Sequence, residues 1–199
     1  MKKEKKEINR ELIKETTLAL IEENGGIKNV NLRGIAREIG CAHTNLYNYF
    51  DSFNEIIWES LSQVLLKLMA YVESSVDSKA EDDEKMLMIF SSIIDFSMNH
   101  PAWYRLIWLE EVDGEPSNEV KQILFKPGKE LSDALIKVSG NKLTEEKAVV
   151  IVAILHNYLH GELCNWINNR SFTNSSKEMK AKILSNLKLL YGLLMNEAT

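Results

Sequence analysis

Asparagine, threonine, histidine and tyrosine crowd into one stretch of this chain, NLRGIAREIGCAHTNLYNYF, Asn31–Phe50. These side chains can read base edges. An asparagine amide pairs bidentately with adenine, an arginine fork with guanine, and a threonine methyl packs on the thymine methyl. His43, Thr44, Asn45, Tyr47, Asn48 and Tyr49 supply that chemistry within seven consecutive residues, and Arg33 lies just upstream. The only other residue in that run is Leu46.

Such side chains need a rigid carrier. Leu32, Ile35, Ala36 and Ile39 recur at helical spacing, and Asn31 stands where a helix N-cap belongs. Gly40 and Cys41 break the pattern, and Leu46 and Phe50, four apart, share the inner face of a second segment. Two short helices joined by a glycine-containing turn make a helix-turn-helix over about 32–51, with its second helix sized for a major groove. An ordinary hairpin in a bundle core would instead carry apolar residues on both helices.

Three other constellations invite chemistry. Phe90, Phe96, Trp103, Tyr104, Trp108 and Trp166 offer wide apolar area with polar tips, which suits either a packed core or a pocket. Of these, Phe90, Trp103, Tyr104, Trp108 and Trp166, with His156 and His160, are the candidate ligand-binding set. Small apolar or aromatic molecules with a polar handle would fit it. His156, His160 and Cys164 fall at i, i+4 and i+8, a spacing known from zinc-binding helices, but a fourth ligand is missing and no metal or other cofactor is expected. No nucleophile elbow, HExxH motif or phosphate-cradling glycine loop is present, so an enzyme is not expected.

Composition frames these candidates. The 199 residues carry a net charge of −5, with 45% hydrophobic and 27% charged residues, enough for a packed core in a soluble protein. Lys2, Lys3, Lys5, Lys6 and Arg10 could form a basic arm, and Lys28, Arg33 and Arg37 flank the motif. Acidic residues nearly balance them over the first sixty positions, so any affinity for a polyanion must come from arrangement. No apolar run approaches the roughly 18 residues of a membrane span, and no secretory leader precedes the first helix. The two cysteines, Cys41 and Cys164, do not suggest a disulfide framework. A cytoplasmic protein without a membrane partner is expected.

Helical periodicity runs almost throughout, with three prolines and nine glycines as punctuation. The expected fold is all-α, with helices over about 6–24, the motif, 52–74, 82–99, a short one from Pro101, 117–139, 144–168 and 177–196. Residues 1–52 form a helix-turn-helix DNA-binding domain of three helices, and 53–199 a ligand-binding and dimerisation bundle of about six. No flexible linker separates them. A helix running straight on from the motif would carry a rearrangement of the bundle to the reader as a rigid-body motion. The apolar positions of the last two helices (Val149, Val150, Val152, Ala153 and Leu155; Ile183, Leu184, Leu187, Leu190 and Leu194) exceed what one buried stripe needs, which suggests a homodimer through those helices.

Residues 10–58 resemble the TetR family of transcriptional regulators. The likeness is carried by Thr17–Ala19, Glu23–Gly26, Asn31, Ile35-Ala36, Gly40, Leu46-Tyr47, Tyr49-Phe50 and Ser52. It implies DNA binding as a dimer and a C-terminal domain that takes a small molecule. By the same resemblance Asn31 and Arg33 lie near phosphates, and His43, Thr44 and Asn45 approach base edges. Tyr47 and Tyr49 match aromatic positions that touch phosphate or a thymine methyl. The family commonly has Gly where this chain has Thr44 and Lys where it has Phe53, for which Asn54 or the N-terminal lysines could compensate. YLHG, Tyr158–Gly161, is similar to a His-Gly element of some regulatory domains in the family.

The function expected is a ligand-responsive repressor released from a palindromic double-stranded operator by a small apolar or aromatic effector. The alternative is a constitutive DNA binder, or a small-molecule-sequestering protein, without inducer control.

Overall fold

Short polar side chains and glycines set the helix ends. In the computed structural model, which describes residues 7–198, helix α1 spans Arg10–Asn24 and opens on Asn9, whose Oδ1 accepts the Leu12 N–H at 2.8 Å. It starts later than the sequence pattern suggests because Asn9 caps it; the lysines of the proposed arm lie outside the described residues. Gly25 and Gly26 close α1 with N–H bonds to the Glu22 and Ile21 carbonyls. A 3-10 turn, Ile27–Asn29, leads to α2, Leu32–Ile39, which Asn31 caps by accepting the Gly34 N–H at 3.0 Å. Gly40, at φ 84°, adopts the left-handed conformation that ends α2.

A 3-10 helix, His43–Asn48, follows, and then α3, Phe53–Ser75. The remaining helices are α4 (Asp82–Asn99), α5 (Pro101–Trp108), α6 (Asn118–Val138), α7 (Glu145–Ile167) and α8 (Ser176–Ala198). Pro101 sits in the first turn of α5, where its missing N–H costs nothing. Thr144 caps α7 by accepting the Lys147 N–H at 3.3 Å. Pro127 lies inside α6 and removes one rung of its hydrogen-bond ladder. No strand occurs among the described residues. The fold is all-α.

Two compact units result: one from Met1–Leu66 with His100–Ile123, the other from Lys67–Asn99 with Leu124–Thr199. These units do not follow the boundary at residues 52 and 53 expected from sequence. The start of α3 and all of α5 fall with the motif: Ile56, Ile57, Leu61 and Val64 of α3 are within 3% of full burial, as are Ile13, Leu18, Ile21 and Ile35 of α1 and α2, and α5 packs against α1. In the second unit α7 and α8 pack on each other and on α4. Its core joins Met86, Phe90 and Ile94 to Ile151, Leu155, Leu159 and Leu163, and to Met179, Ile183 and Leu187. Two polar ties brace it: Lys180 pairs with Asp95 at 2.7 Å, and the Tyr191 hydroxyl donates to Asp83 at 2.7 Å. No described helix is long and apolar enough to cross a membrane.

Candidate nucleic-acid interface

The segment expected to read bases is short and tightly wound. Asn45 donates to the Ala42 carbonyl at 2.9 Å and Tyr49 to that of Leu46 at 3.0 Å, the i to i+3 pattern of a 3-10 helix. With about three residues per turn, side chains eclipse in rows. His43, Leu46 and Tyr49 form one row, Thr44 and Tyr47 a second, Asn45 and Asn48 a third. Leu46 is fully buried and pegs the segment to the core, while both outer rows are exposed, Tyr47 by 52%. His43 is exposed at the start of the inner row.

Tyr49 differs from the others. It is half-buried, and its hydroxyl donates to the Ile8 carbonyl at 2.8 Å, so its donor is spent inside the protein. The end of the segment is pinned by Arg10. Its guanidinium donates to the Tyr49 carbonyl, lies 4.0 Å from the centre of the Phe50 ring, and pairs with Glu55 (2.9 Å) and Glu59. Sequence reading placed Arg10 in a basic arm. The acidic pair Glu55 and Glu59, four apart on the next helix, was the signal that it had an internal role.

Asn31 and Arg33 are exposed at the start of α2 and, with Leu32, His43 and Phe53, line a shallow hollow open to solvent. Asn54 is half-buried at the start of α3. Seven of the nine candidate DNA-reading residues are thus exposed, while Tyr49 and Asn54 are half-buried.

The ligand candidates are divided between the two units. Trp103, Tyr104 and Trp108 belong to α5 in the first unit; Phe90, His156, His160 and Trp166 belong to the second. Trp103 stacks on His100 at 4.3 Å and donates its indole N–H to the Leu18 carbonyl at 3.2 Å. Phe90 is buried in the core. His156 and His160 stack at 5.9 Å on α7, and burial pushes both pKa values down, with the His160 charge adding to the effect on His156. Among the described residues no three His, Cys, Asp or Glu side chains converge as a metal site.

The apolar residues of α7 and α8 sort by face. Val152, Leu155, Ile183 and Leu187 are buried within the unit, so they are internal core and not free for a partner. Val149, Val150 and Ala153 are exposed, as are three residues the sequence reading passed over: Ile154, Leu189 and Leu193. Leu184, Leu190 and Leu194 are half-buried.

No protein-family model matches the chain, and no curated protein matches it in sequence. Solved structures do. A point variant of TetR from Acinetobacter baumannii AYE in complex with minocycline superposes with a TM-score of 0.69 at 12% identity, covering 97% of this chain and 99% of that one. The fatty acid degradation regulator FadR from Bacillus halodurans gives 0.69 at 15% identity, covering 96% of each chain. A TetR-like transcriptional regulator from Rhodococcus sp. RHA1 gives 0.63 at 12%, covering 92% and 95%. At such identities the likeness is one of architecture, and the chain has the fold of the TetR-family transcription regulators.

Proposed function

We propose that this protein is a ligand-responsive transcription regulator that binds double-stranded DNA as a homodimer. The observation that carries the reading is the pair of exposed rows, Thr44 with Tyr47 and Asn45 with Asn48, standing on the buried peg Leu46. Side chains with two-way hydrogen bonding and a ring or methyl face suit the major groove, and Arg33 beside Asn31 suits a phosphate. Exposed Val149, Val150, Ile154, Leu189 and Leu193 supply a self-complementary apolar surface for the second copy. Two copies related by a two-fold axis require a palindromic operator with half-sites about one helical turn apart, roughly 34–36 Å.

The neighbours named above, one bound to minocycline and one a fatty acid degradation regulator, support an effector that is small and largely apolar or aromatic. Its binding would favour a state with lower DNA affinity, and a coupling of about 1–3 kcal/mol would release the operator about 5- to 150-fold. The sense of regulation proposed is repression.

Selection of duplexes from a random pool by the full-length protein tests this reading. Enrichment of an inverted repeat, bound less tightly as salt rises, is the expected result. A pool that shows no enrichment refutes it.

A further inference from the structure

The chain leaves the second unit at Asn99, passes through the first as His100–Ile123, and returns. Early in that passage it grips the end of α1. His100 Nδ1 lies 3.3 Å from Glu22, and the Trp103 indole N–H is bonded to the Leu18 carbonyl. Arg105 donates to the Gly25 carbonyl at 3.1 Å, and Glu110 accepts the Ile27 N–H with both carboxylate oxygens, at 3.0 and 3.1 Å.

The last contact is the informative one. The end of α1 is already closed by the Gly25 and Gly26 N–H groups, so Glu110 is not needed as its cap. It fastens the next element instead, the 3-10 turn Ile27–Asn29 that leads to the Asn31 cap of α2. Room for it is made by Gly26, where an added Cβ would collide with Glu110 Oε1. Desolvation raises the Glu110 pKa, and the Ile27 N–H and Arg105 pull it back. A half-buried carboxylate thus gives up part of its hydration to face a backbone N–H.

We infer that Arg105 and Glu110 are positioning residues: by holding the turn Gly25–Ile27 they set where α2 begins, and release of this clamp lowers affinity for DNA. The inference rests on the DNA-binding reading above and adds its regulation. Arg105 lies on α5 and Glu110 just past its end, in a passage whose two ends run on into the second unit.

The test uses full-length protein, the duplex enriched from a random pool, binding by fluorescence anisotropy, and amide exchange at Ile27. Glu110→Ala is expected to speed Ile27 exchange and weaken DNA binding about tenfold or more, since the acceptor for the Ile27 N–H is lost. Glu110→Gln keeps a carbonyl acceptor and should retain most of both. Ile94→Val, a core change in α4, serves as a control that lowers the melting temperature and leaves DNA affinity within about twofold. Should Glu110→Ala not fold, Arg105→Ala carries the same comparison. A folded Glu110→Ala protein with unchanged affinity overturns the inference and leaves the DNA-binding reading intact, as does equal loss in the Ala and Gln variants. If the wild-type protein enriches no duplex, the DNA-binding reading fails, and the inferred control of DNA affinity falls with it. Ile27 exchange then still reports whether Glu110 holds the turn.

Discussion

The segment His43–Asn48 and the outer stripe of α7 and α8 are both exposed, and their chemistry is opposite. The first offers amides, a hydroxyl, an imidazole and a phenol around one buried leucine; the second offers Val149, Val150, Ile154, Leu189 and Leu193. Neither is what water alone would select. Polar side chains whose donors and acceptors are held in fixed rows suit a partner with a fixed pattern of its own. An aliphatic stripe suits a partner that removes it from water, at about 25 cal/mol per Å². On the proposed reading, one surface serves discrimination and the other association.

That contrast is easiest to break at the apolar surface. Leu193→Glu places a charge where a second copy would bury it, a cost of several kcal/mol without a counter-ion. The dimer should dissociate in sedimentation velocity, and affinity for an inverted repeat should collapse toward that for a half-site. A variant that sediments as wild type would detach the stripe from self-association. At the polar surface the expected effect is smaller and selective. Asn45→Ala should cost about 1–3 kcal/mol on the enriched duplex while melting temperature and dimerisation stay unchanged. Equal weakening on every sequence would make Asn45 a backbone contact, not a reader.

The smallest effect is one of pH on the second unit. Burial holds the folded-state pKa of His156 and His160 below the ordinary histidine value, about 6.5. Below about 6.5 the unfolded chain takes up protons that the folded one resists, so stability falls with acid until the folded values are passed. His156→Gln should flatten the fall in melting temperature between about pH 7 and pH 5.5. A slope unchanged by the substitution would remove His156 from the acid response.

Helix order and boundaries were largely legible because caps and stops are local: Asn31, Gly40, Pro101 and Thr144 each act within one turn of themselves. Leu46 was legible as a buried peg for the same reason. What the sequence pattern could not show was which of two apolar faces turns inward. Val152 and Val150 are alike as residues, and only the packing of α7 on α8 makes one core and the other surface. Nor could it show partnerships between distant residues. Arg10 reads as one more cation in a basic arm until Glu55, Glu59 and the Phe50 ring come round it. The winding of His43–Asn48 was hidden too, since 3-10 and α geometry share the same end signals and differ by one rung.

Gly26 and Glu110 also limit each other in space. A side chain at position 26 would meet the Glu110 carboxylate, which would have to swing off the Ile27 N–H to make room. Gly26 also stands at φ 154°, where any L side chain is strained, so shortening the acid at 110 would remove the clash and leave the backbone cost in place. A change at position 26 would therefore be felt first as loss of the hold on the turn that leads to α2.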